Sequence, residues 1–284
     1  MRTTAILNLK GGVGKTATTV NMAAILAADY GKRVLVVDAD SQANTTEFFG
    51  GVPVNTKTFA AMLRDPKTHG CWAPSSFPGV CILPADESLM DLDLSSIESK
   101  KCDPQCLKKS LSEFSRYCKA EPFVPFFDYV LIDCPPAFNA ACAAALLAAD
   151  DVIIPIKLDA FSLRGMANLM RQIQNMRKIN SSLRVAGLLP TMVYKSEKIS
   201  AALEALRASK LFVFPAIRKT NKVDDMTFAQ EPLIKSSPKS AACVDYRRFV
   251  TVYVRQAGGD TSSGAARHLP LDGKAMKKGG EGNG

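Results

Sequence analysis

The chain has 284 residues, 47% of them hydrophobic, and a formal net charge of +9. That length allows one large α/β domain or two small ones, with enough apolar residues to bury a sizeable core. No apolar run approaches the roughly 18 residues of a membrane span, and MRTTAILNLKGG at the amino end reads as a strand entering a glycine loop rather than as a leader, so a cytoplasmic protein is expected.

In chain order, the expected strands are TTAILNL (3–9), RVLVVD (33–38), GVCILPA (79–85), FDYVLID (127–133), DVIIPI (151–156), RVAGLLP (184–190) and LFVFPA (211–216). Most are unbroken apolar runs rather than alternating ones, the pattern of strands buried on both faces of a parallel sheet. Helices are expected between them: 16–30, stopped by Gly31; the alanine-rich 139–149; 162–179 and 196–209, each polar and basic on one side; and a closing helix over 240–256, whose β-branched run works against it. Strand–helix alternation with right-handed crossovers predicts an α/β fold, a doubly wound, mostly parallel sheet with helices on both faces. Residues 50–78 and 86–126 are expected to be irregular, around short helices. From Gly258 the composition turns to glycine and scattered charge, which divides the chain into a domain over 1–257 and a disordered polar tail over 258–284.

The eight cysteines read as reduced thiols. Cys102 and Cys106 have a metal-like spacing, but no second pair or nearby histidine completes four ligands, and His69 and His268 read as surface residues. Charge is uneven: residues 161–222 hold twelve Lys or Arg against Glu197 and Glu204, a surplus of ten. Such a stretch is either a solvated helical face or a polyanion-binding one, because clustered cations release counterions from nucleic acid.

The chemistry concentrates in KGGVGKT (10–16), between a strand and a helix. Glycines there let backbone N–H groups crowd round phosphate oxygens, and the helix amino end adds partial positive charge. Lys15 would reach the β- and γ-phosphates and the Thr16 hydroxyl would hold Mg²⁺. The usual first glycine of such a loop is Leu9 here, and Lys10 follows at once.

This is the deviant pattern xKGGxGK[ST], and through it the sequence resembles the ParA/MinD family of P-loop ATPases. The resemblance implies ATP and Mg²⁺ as cofactors, with Lys10, Gly11, Gly12, Val13, Gly14, Lys15, Thr16 and Ala17 around the phosphates and Lys10 reaching the nucleotide of a partner subunit. VLVVDADSQANTT (34–46) is similar to the family's first switch: Asp40 would position or activate the attacking water and Asp38 would belong to the Mg²⁺ shell or its support, with Ser41 where the family usually has proline. YVLIDCPPAFN (129–139) resembles its Walker B and second switch, with Asp133 reaching Mg²⁺ through water; Cys134 reads as a plain buried thiol. Thr191 and Pro215 stand where the family holds the adenine.

Lys10, Lys15 and Asp40 are thus the expected catalytic set. The resemblance implies an ATP-bridged homodimer, non-specific DNA binding and a ParB-like partner that stimulates hydrolysis, in a cytoplasmic, nucleoid-associated protein of the ParA/Soj type. Arg218, Lys219 and Lys222 are the expected DNA contacts, with Arg247 and Arg248 next. A MinD-like membrane cycle is the alternative. It uses a terminal amphipathic helix, and KAMKKGGEGNG has no apolar face, so no stable membrane association is expected. A metabolic ATP-using enzyme of the same fold would need a substrate pocket that no motif marks.

Overall fold

The computed structural model describes residues 1–258, apart from Pro53, Pro66, His69 and 122–125, and gives only the backbone of 160–164. The expected tail beyond Gly258 and the positions of His69 and His268 lie outside the described residues.

Seven strands form one sheet: β1 (Arg2–Ile6), β2 (Val34–Asp38), β3 (Ala73–Pro74), β4 (Val80–Leu83), β5 (Tyr129–Asp133), β6 (Asp151–Lys157) and β7 (Arg184–Thr191), in the order β3-β4-β2-β5-β1-β6-β7. All neighbours are parallel except the β3–β4 pair. Every residue of β2 and β5 is buried, as their unbroken apolar runs require.

The helices are α1 (Lys15–Tyr30), α2 (Asn44–Phe48), α3 (Phe59–Arg64), α4 (Leu94–Glu98), α5 (Cys106–Ala120), α6 (Ala140–Ala148), α7 (Ala160–Arg177), α8 (Glu197–Arg207), α9 (Asn221–Ala229), α10 (Leu233–Ser236) and α11 (Ala241–Gln256). They cover both faces. Alternate strand residues face two cores: Leu35, Val37, Val130 and Ile132 pack with α3, α5, α6 and α7, whereas Val34, Val36, Leu131 and Ile153 pack with α1, α10 and α11. The β-branched run does not stop α11, because Phe249, Val250, Tyr253 and Val254 are all buried against the sheet and packing outweighs propensity.

Three expectations are corrected. Residues 106–120 form a 15-residue helix, α5, within a stretch expected to hold only short ones; its buried Cys106, Leu107, Ser110, Leu111 and Cys118 mark one helical face. Residues 211–216 are not a regular strand. They run parallel to β7 through single contacts, Phe214 N–H to Leu188 O at 2.8 Å and Leu188 N–H to Phe212 O at 2.8 Å, and Pro215 has no N–H to continue the ladder. α9 and α10 occupy a region for which the sequence suggested no helix.

Candidate functional site

Strand register sets the site. Ile6 of β1 and Asp38 of β2 each lie level with Asp133 of β5, so the glycine loop and both acids emerge side by side at the carboxyl end of the sheet. Gly12 and Gly14 take φ of 68° and 85°, left-handed values that a side chain would strain. Gly14 hands directly into α1, where Lys15 is 8% exposed and its Nζ folds back to donate to the Lys10 carbonyl at 3.2 Å.

Asp133 gathers the hydroxyls. Its Oδ2 accepts from Thr16 Oγ1 at 2.6 Å and from Thr45 Oγ1 at 2.7 Å, while its buried Oδ1 has no hydrogen-bond partner among the described residues. Burial pushes its carboxyl up to about 6, against the lowering effect of the two threonines and Lys15. Asp38, level with it, accepts from Thr46 N–H and Oγ1 at 2.8 Å each and from Asp40 N–H at 3.1 Å. Burial, with the Asp133 charge beside it, pushes Asp38 up to about 7. Two buried acids short of positive charge, one with an idle oxygen next to a threonine hydroxyl, suit a hard divalent cation. Through these three bonds Asp38 braces residues 40–46.

A cavity of about 580 Å³ opens above the loop, lined by Gly11, Gly12, Gly14, Lys15, Thr16, Ala17 and Asp40 on the phosphate side. Its far wall is Val20, Phe48, Met192, Met226, Thr227 and Gln230. Val13 is buried beneath the loop. Thr191 and Pro215 do not line this cavity; the buried Thr191 hydroxyl donates to the Val13 carbonyl at 2.8 Å and buttresses the loop from below. Cys134 is fully buried.

The basic residues are placed less uniformly than their count suggests. The Arg218 guanidinium forks onto buried Asp245, Nε to Oδ2 at 2.7 Å and Nη2 to Oδ1 at 2.9 Å, tying the 211–219 segment to α11. Arg218 is nonetheless exposed, with its side chain 53% accessible. Arg247 likewise binds Asp29 at 2.7 Å. Lys219 and Arg248 are exposed, and Lys222 is exposed with Asp225 at 2.8 Å. Arg171, Arg177, Lys178, Lys195 and Lys198 are exposed too.

Among proteins of known sequence, a family model described as an AAA domain matches residues 1–185. The chromosome partitioning protein ParA of Caulobacter vibrioides is 34% identical over 204 residues, which cover 70% of this chain and 73% of that one. The chain belongs to the ParA/Soj family of partitioning ATPases. The chromosome-partitioning ATPase Soj of Thermus thermophilus is 30% identical over 254 residues, 88% of this chain and 94% of that relative. The septum site-determining protein MinD of Pyrococcus horikoshii, solved with Mg-ADP, shares the fold at a TM-score of 0.70 and 22% identity, over 90% of this chain and 97% of that one.

For a ParA/Soj family member, sequence reasoning missed residues both near the motifs and far from them. Thr45 and Thr46 lie inside the switch-like run and could have been found as hydroxyls beside acids. Met226, Thr227 and Gln230 carried no signal, since α9 was not expected. Asp159, which binds Lys10, lies 149 residues away from it.

Proposed function

We propose that this chain is an Mg²⁺-dependent ATPase that pairs into a homodimer across ATP, binds DNA without sequence preference, and partitions a plasmid or chromosome with a ParB-like partner. The observation that carries the reading is the Lys15–Thr16–Asp133 constellation beneath the cavity, joined to a family whose relatives bear partitioning names. Glycine-loop N–H groups and Lys15 hold the phosphates; Thr16 and Asp133 hold the cation, whose charge offsets that developing during phosphoryl transfer. Asp40, on the cavity wall and fixed by its N–H to Asp38, orients the attacking water as general base. Lys10 reaches the triphosphate of the second subunit, so that nucleotide state and pairing are coupled. The exposed cations of α7 and α8, with Arg218, Lys219 and Lys222, meet the DNA phosphates. Nucleoid association follows from that DNA binding.

The test is size-exclusion chromatography of Asp40→Ala with Mg-ATP, with and without duplex DNA. A dimer that carries DNA with it is the expected result, and a monomer at saturating Mg-ATP overturns the reading. Charge reversal at Lys219 and Lys222 should weaken DNA retention and lower the salt slope by about two; an unchanged slope moves the DNA face elsewhere.

A further inference from the structure

Both the backbone and the side chain of Lys10 are anchored near the carboxyl end of β6. Its N–H donates to Asn8 Oδ1 at 2.9 Å, and the buried Asn8 amide donates to the Pro155 carbonyl of β6 at 2.7 Å. Its Nζ donates to both oxygens of Asp159, each at 2.7 Å. Asp159 lies just past β6, its N–H on the Lys157 carbonyl at 2.9 Å, and immediately precedes α7.

We propose that Asp159 is a positioning residue: it holds Lys10 within its own subunit, in competition with the partner's triphosphate, and thereby sets the ATP concentration at which two copies pair. The inference rests on the dimer reading above. The competition is electrostatic and positional: the carboxylate takes two of the three ammonium donors and draws the head towards its own subunit, which offsets part of the lysine's attraction for a second anion. Exposure makes the exchange feasible: the two side chains are 35% and 29% accessible. A pair so placed is weak, of order a two- to fivefold equilibrium effect.

Asp159→Asn keeps the side-chain shape and can still serve at the position before a helix. Two measurements test it. In the nucleotide-free protein, acylation of Lys10 by an amine-reactive ester, followed by mass spectrometry, should be several-fold faster in Asp159→Asn and return toward the wild-type rate in Asp159→Glu. Equal rates in all three overturn the proposal. In an Asp40→Ala background, the Mg-ATP concentration for half-maximal dimerisation should fall two- to fivefold on adding Asp159→Asn, with thermal stability within a few degrees. An unchanged or higher concentration overturns it, since Asp159 then serves the fold or the assembled dimer. If the Asp40→Ala parent never dimerises while Lys10 acylation still responds to Asp159→Asn, the failure belongs to the dimer reading and the holding contact stands.

Discussion

Asp133 closes β5 at one end of the sheet and Asp151 opens β6 at the other; both are buried, and they are treated in opposite ways. Asp151 receives Arg2 Nε at 2.7 Å, Arg184 Nε at 2.5 Å and the Tyr253 hydroxyl at 2.9 Å. Burial alone would raise its carboxyl, but these donors outweigh it and hold it below the usual carboxylate range. Asp133 receives hydroxyls and a distant Lys15, keeps one oxygen idle, and is pushed up to about 6. One acid is balanced by its own chain and fastens β1, β6, β7 and α11 together. The other is left short of charge at the end where nucleotide and cation are expected. Equal burial thus separates a fastening from a site once the counter-charges are located.

The comparison can be broken most forcefully at Asp151. Asp151→Asn should cost about 3 kcal/mol in urea unfolding, and a cost under about 1 kcal/mol would remove the distinction. The same acid fixes a pH dependence. Its folded pKa is depressed, so its contribution is complete above the unfolded value of about 3.9 and is lost as pH falls through the folded one. Unfolding titrations at pH 5.5 and pH 3 should show a larger loss in the wild type than in the Asn variant, whose remaining loss comes from other depressed carboxylates such as Asp86 and Asp103.

At the opposite end, Lys15→Ala should weaken ATP binding about 100-fold by calorimetric titration while leaving stability near the wild-type value. Asp245→Ala, which releases exposed Arg218, should cost about 1–2 kcal/mol and leave ATP affinity unchanged in the same titration. The smallest effect sharpens the contrast. Asp133→Asn, without nucleotide or Mg²⁺ at neutral pH, should cost less than about 1 kcal/mol, because the carboxylate it removes is poorly compensated. A loss as large as that at Asp151 would show that Asp133 is structural.

The site's centre was legible in the sequence because each part is a short run at a strand end: KGGVGKT after β1, Asp38 closing β2, Asp133 closing β5. Strand and helix positions followed from apolar runs and from Gly31, which ends α1 in a left-handed turn as expected. What escaped depends on pairs remote in sequence. Nothing local says that Arg218 meets Asp245, that Thr191 props Val13, or that Lys10 meets Asp159. α5 was obscured by polar residues that fill its outer face, and 211–216 was misread because apolar content outvoted Pro215.

The Lys10–Asp159 contact has a mechanical side. Asp159 sits at the root of α7, an 18-residue rod that extends about 27 Å and carries Arg171 and Arg177 on its exposed surface. The glycine loop and an exposed cationic flank are thus tied to opposite ends of one helix.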